Sequence, residues 1–145
     1  MKDSRAFWDA SALVPVCVHE RIGALVRSHL RHFAPVVWWG TKLEIYSAIC
    51  SLRRKGQLTD RESEGATTRL RLLIDGCKEI TANYQVREDA ADLLERYPLR
   101  AADALQLAAA MLWCNKRPRG RTLFSADRLL SQAARSAGFS VVAPN

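Results

Sequence analysis

The sequence predicts a three-layer α/β fold with a central parallel sheet flanked by helices. Three observations carry that prediction. Apolar runs of strand length alternate with helical patterns along the whole chain, the order that builds a parallel sheet with crossover helices. The 145 residues are about one domain's worth and hold no internal repeat, low-complexity tract or linker-like stretch, so a single domain over 1–145 is expected. Hydrophobic residues make up 48% and charged residues 26%, enough to bury an ordinary core without staples.

The elements follow in order. Ala6–Asp9 reads as the first strand, with a helical stretch after it to about His29. Pro35–Trp39 reads as the second strand. Thr41 with Glu44 three residues on has the spacing of a capping box. The helix it would start, Lys42–Lys55, stops at Gly56. Asp60 is expected to cap a helix over Asp60–Asp75, and Gly76 punctuates it. Glu79–Tyr84 holds a short third strand in this reading. Arg87–Arg96 is helical and Pro98 ends it; the helix Ala101–Cys114 follows, then the loop KRPRG. Thr122–Ser125 reads as the fourth strand, leading into a helix Asp127–Ala137 closed by Gly138. Phe139–Ala143 is the last strand.

Composition excludes several classes. No apolar run reaches the ~18 residues of a membrane span. The start of the sequence meets acidic Asp3 and has no apolar core of a signal peptide, so a cytoplasmic protein is expected. Cys17, Cys50, Cys77 and Cys114 are widely spread with no C-x-x-C pair, which argues for buried thiols over a zinc site. His19, His29 and His32 have no other candidate ligand close by and read as solvated or structural. The formal net charge of +7 favours a polyanionic or acidic partner.

The acids are the informative residues. Asp9 interrupts an apolar run, where an unpaired carboxylate costs several kcal/mol. Asp103 sits in AADALQLAAAML, a helix with little polar surface. In an open parallel sheet, ligands bind beyond the carboxyl ends of the strands, where the following helices begin. Asp9 ends the first strand, Glu44 lies in the first turn after the second, Asp103 opens its helix, and Asp127 follows the fourth strand. All four are therefore expected at one edge of the sheet. Glu44 and Asp127 taken singly could be acids placed to favour a helix dipole. Four carboxylates without a counter-charge repel and raise at least one pKa. A hard divalent cation, Mg²⁺ or Mn²⁺, gives the set physical sense, since both prefer carboxylate and water oxygens and bridge to phosphates.

The same residues carry a resemblance. DASAL at 9–13, WWGTKLEIYSAI at 38–49, LRAADALQLAAAM at 99–111 and TLFSADRLL at 122–130 resemble the four acidic motifs of PIN domains in order and spacing. A chain this short resembles the VapC-type toxins of toxin–antitoxin pairs. The resemblance implies a metal-dependent endoribonuclease that cleaves RNA with a metal-activated water, is inhibited by a cognate antitoxin protein and forms a homodimer. Asp9, Glu44, Asp103 and Asp127 match the family's acidic quartet, as catalytic residues and metal ligands. Ser11 matches its supporting hydroxyl, and Ser125 fits the hydroxyl position before the last acid. Two residues depart from the pattern: Ala10 stands where threonine is common, and Gln106 where histidine is frequent.

Lys42, Arg100 and Arg128, each beside an acid, are candidates for gripping substrate phosphates or for pairing with the quartet. The runs RRK (53–55) and KRPRGR (116–121) follow helix C-termini, so they are expected at the far edge, complementing helix dipoles. Trp38, Trp39, Leu43, Tyr46, Ile49 and Cys50 offer more than one apolar face, for core packing or for a second chain. Two other functions fit parts of the sequence. A non-catalytic PIN-like binding module would share the fold. A haloacid-dehalogenase-type phosphohydrolase would share an aspartate after the first strand, but it needs a second one where Ser11 stands.

Overall fold

Strand residues point alternately to the two faces of a sheet, and in this chain the alternation sorts the core. Ala6, Trp8, Val37 and Phe124 pack into one buried cluster; Phe7, Val36, Trp38 and Leu123 pack into another on the opposite face. Each face therefore needs its own cover of helices. The computed structural model describes residues 5–144. It runs β1 (Arg5–Trp8), α1 (Ala10–Val18), α2 (Ala24–His32), β2 (Ala34–Trp38), α3 (Thr41–Arg54), α4 (Asp60–Asp75), β3 (Lys78–Ile80), α5 (Tyr84–Arg96), α6 (Ala101–Trp113), β4 (Thr122–Phe124), α7 (Arg128–Ala137) and β5 (Ser140–Val142). Asp3, on which part of the sequence reading rests, lies outside the described residues.

The five strands pair in the order β3-β2-β1-β4-β5, and every pairing is parallel. Helices α1, α3 and α4 cover one face through Leu13, Ile45, Ile49, Leu70 and Ile74. Helices α5, α6 and α7 cover the other through Val86, Leu93, Leu107 and Leu130. This is the three-layer α/β arrangement that the alternating pattern predicts. The chain winds outward from β1 to β2 and β3, then returns to lay β4 on the other side of β1. That reversal opens a crevice between the carboxyl ends of β1 and β4. Among the described residues, no helix is long and apolar enough to cross a membrane.

Four local expectations need correction. The single helix expected to His29 is two, α1 and α2, separated over the polar stretch before Gly23, which takes an extended conformation at the start of α2. The capping box at Thr41 does not form. Gly40 holds the N-cap position and Thr41 is already helical. A Cβ at position 40 would lie 2.7 Å from the Trp38 indole nitrogen, so the tight turn out of β2 accepts only glycine. Thr59, not Asp60, caps α4, and it does so in a full capping box with Glu62. The third strand is Lys78–Ile80 rather than Glu79–Tyr84, because the Asn83 side chain accepts from the Val86 N–H at 2.9 Å and starts α5 three residues early.

The remaining expected boundaries shift by a residue or two. Cys17 and Cys114 are buried and Cys50 and Cys77 half-buried, all as free thiols. His29 packs its ring on Phe124, and His32 bonds the Ser28 carbonyl of its own helix; neither approaches a ligand set.

Candidate active site

Asp9 follows β1 at the crevice, and its backbone N–H extends the β1–β4 pairing by donating to the Phe124 carbonyl at 2.9 Å. The carboxyl group is buried. Two hydroxyls hold it: Ser11 Oγ donates to Oδ2 at 2.5 Å and Ser125 Oγ donates to the same oxygen at 2.9 Å. Each serine also accepts from the turn between β4 and α7. Ser11 Oγ takes the Ala126 N–H at 2.9 Å, and Ser125 Oγ takes the Asp127 N–H at 3.0 Å. One network thus fixes the position of Asp127 relative to Asp9 across 118 positions of chain. Both serines thus hydrogen-bond the Asp9 carboxyl.

The Asp127 side chain makes no capping bond to α7, and its Oδ2 is buried with no hydrogen-bond partner. Asp127 therefore stands at the α7 N-cap without capping it through a hydrogen bond. Asp103, in the first turn of α6, accepts weakly from Arg100, from the backbone N–H at 3.4 Å and from Nε at 3.5 Å. Arg100 is otherwise largely exposed, so of the three candidate cations it is the one that pairs with the quartet. Glu44, in the first turn of α3, gives nothing to its own helix either. Its Oε2 accepts at 2.5 Å from Gln106 Nε2, which also donates to Thr41 Oγ1 at 3.0 Å.

The four carboxylates feel one another. Burial pushes the Asp9 carboxyl up, the two serine bonds oppose it, and the charges of Asp103 and Asp127 add to the rise. Glu44 is pushed up to about 7, first by burial, with Asp9 and Asp103 adding and the Gln106 bond opposing. Asp103 is raised by burial and then by Asp127, against Arg100. Like charges gathered in a low-dielectric crevice account for all three directions.

Lys42 stands elsewhere. Two residues before Glu44 it points to the other side of α3, lining a groove of about 580 Å³ with Trp39, Leu43, Tyr46, Leu70 and Arg71. Trp38 and Ile49 are core, whereas Trp39, Leu43 and Tyr46 are exposed, so the apolar stripe of α3 does present two faces. Arg128 opens α7 beside Asp127 with its side chain in solvent. The runs 53–55 and 116–121 lie at the C-terminal ends of α3 and α6, away from the acids. There Lys116 pairs with Asp89 at 3.5 Å and Arg121 lies over the Trp113 ring.

Sequence reasoning passed over two residues of this site. Thr41 reads as a cap and Gln106 as a mere departure from a pattern, yet together they bind Glu44 to α6. The available signal was a lone amide in an apolar helix, three residues after Asp103 and hence on the same face.

Fold and site together define a three-layer α/β protein with an all-parallel central sheet and an acidic crevice at its carboxyl edge. Comparison with protein-family models finds no match, and no curated protein matches either. Two solved structures are similar in fold. A toxin–antitoxin complex from Klebsiella pneumoniae aligns with a TM-score of 0.64 at 17% identity, over 97% of this chain and 98% of that one. The crystal structure of PAE2754 from Pyrobaculum aerophilum aligns with a TM-score of 0.68 at 18% identity, over 97% of this chain and 90% of that one.

Proposed function

We propose that this chain is a metal-dependent endoribonuclease that acts in the cytoplasm as the toxin of a toxin–antitoxin pair. The observation that carries the reading is the state of the acids. Carboxylates from four separate elements lie within electrostatic reach at one sheet edge; Asp9, Glu44 and Asp103 hold their protons more tightly than usual, and Asp127 Oδ2 is buried with no partner. Such a set is costly to fold unless a counter-charge joins it. The fold it shares with a protein of a toxin–antitoxin complex supports the toxin role, and with it a cognate antitoxin as partner.

The donor set is all oxygen, which suits Mg²⁺ or Mn²⁺. Asp9, Asp103 and Asp127 would hold the ion, with Glu44 direct or through water. Bound there, it supplies a water of lowered pKa and a counter-charge for the phosphodiester under attack. The chain does the rest. Ser11 and Ser125 fix Asp9 by one carboxyl oxygen, the β4–α7 turn delivers Asp127, and Arg128 in solvent beside it is placed to meet a substrate phosphate. None of the three histidines is needed as a base. The exposed face of α3 around Trp39, Leu43 and Tyr46 suits a homodimer partner.

A second reading, a binding module on the same fold, has one observation on its side. Among the described residues, no three His, Cys, Asp or Glu side chains stand close enough to hold a metal ion as they are. Cleavage of a mixed single-stranded and structured RNA pool separates the two. The nuclease cuts with Mg²⁺ or Mn²⁺, stops with EDTA and stops in Asp9→Asn; well-folded protein that binds the pool without cutting it is the module.

A further inference from the structure

We infer that Gln106 is a positioning residue for Glu44, and through it for the divalent cation, an inference that rests on the metal-dependent reading above. The amide is 1% exposed within an α6 made otherwise of apolar residues and Asp103. Such a site tolerates a polar side chain only when its groups are paired. Here the pairing is one-sided. Nε2 carries two protons and spends them on two acceptors, Thr41 Oγ1 at 3.0 Å and Glu44 Oε2 at 2.5 Å, while Oε1 is buried with no partner.

A glutamine placed only to fill the core would be better replaced by leucine or methionine, which leave no orphaned oxygen. The bond that is kept is the one to the carboxylate. It joins helices α3 and α6, which cover opposite faces of the sheet. Thr41, itself wholly buried, fixes the amide from its other side. Gln106 thereby turns the Glu44 carboxyl toward α6, the helix that brings Asp103. Groups that orient a metal's ligands in this way affect metal affinity about 10–100-fold.

The test is Mn²⁺ affinity, measured by calorimetry and by the loss of the free-ion EPR signal. It uses the unaltered chain, Gln106→Met, Glu44→Gln and the double variant, with thermal unfolding run beside each. Gln106→Met keeps length and removes both donors. The expected result is affinity weakened about 10–100-fold in Gln106→Met, with no further loss when Gln106→Met is added to Glu44→Gln. That non-additivity is what a residue acting only through Glu44 must show, and a packing role would not produce it. Unchanged affinity in Gln106→Met, or full additivity, overturns the inference and leaves the metal reading in place. An unaltered chain that binds no Mn²⁺ overturns both. If Gln106→Met does not fold, Thr41→Val decides: it frees the amide from one side, and an unchanged affinity there also overturns the inference.

Discussion

Helix α4 and helices α3 and α7 all begin with an acid, and the sequence gives little reason to treat them differently. In α4 the acid belongs to the helix. Glu62 accepts from the Thr59 backbone while Thr59 accepts from Glu62, and these bonds hold the Glu62 carboxyl below its usual range. In α3 and α7 the acid makes no side-chain hydrogen bond to its helix. Glu44 turns to Gln106 and sits at about 7, and Asp127 leaves a buried oxygen with no partner. An acid that stabilises its own helix has its charge in use. One that does not has its charge available for something else, and the crevice collects those.

The largest expected difference between the two regions is in activity. Replacing Asp127 with Asn should cut RNA cleavage about a hundredfold or more, since metal-ion catalysis supplies several kcal/mol of transition-state stabilisation. Glu62→Ala should leave the rate unchanged. A cleavage assay on both variants with matched folding controls checks this, and equal losses would break the distinction.

Stability comes next. Ser125→Ala removes a donor from a buried carboxylate and should cost about 1–3 kcal/mol in urea unfolding at pH 8. The loss should shrink in an Asp9→Asn background, where no charge needs the bond. Thr59→Ala, which breaks the capping box of α4, should cost about 0.5–2 kcal/mol and behave the same in either background.

The smallest effect is the most diagnostic in sign. Asp9, Glu44 and Asp103 bind protons more tightly folded than unfolded. Where the folded state holds more protons, stability falls as pH rises. For Glu44 that window runs from its unfolded value of 4.5 up to about 7. Metal-free protein should therefore melt higher at pH 5 than at pH 7.5. Glu62, with its lowered pKa, contributes in the opposite direction, adding stability as pH rises past its folded value. The Glu62 contribution changes only below 4.5, outside this window, so melting curves from pH 5 to 7.5 with and without Glu44→Gln isolate the crevice; the slope should flatten in the variant.

The sequence pattern reaches the sheet and its edge more easily than the details of the turns. The continuous apolar runs Ala6–Trp8 and Val36–Trp38 call for cover on both faces of the sheet, and the strand–helix order predicts Asp9, Glu44, Asp103 and Asp127 at one edge. What it misses depends on atoms distant in sequence or on a single turn. Thr41 and Glu44 have capping-box spacing, but Gly40, where the Trp38 ring leaves no room for a Cβ, holds the N-cap position, and Gln106, 62 positions beyond Glu44, claims both side chains. The break between α1 and α2 hangs on a short polar stretch that periodicity reads through. Lys42 is adjacent to the acids in sequence yet on the far side of its helix, because neighbours in sequence are not neighbours on a helix surface.

The central claim, that the crevice acids are held for a divalent cation rather than for the fold, is tested most directly by melting the unaltered chain and Asp9→Asn at pH 8 with and without Mn²⁺. Without metal, Asp9→Asn should melt higher, because it removes a charge that burial and the neighbouring Asp103 and Asp127 disfavour. With Mn²⁺ at a hundredfold excess over its dissociation constant, the unaltered chain should gain about 2.7 kcal/mol and the variant little. An Asp9→Asn protein that melts lower than the parent, with no response to Mn²⁺ in either, would mean that Asp9 serves the fold as Glu62 serves its helix.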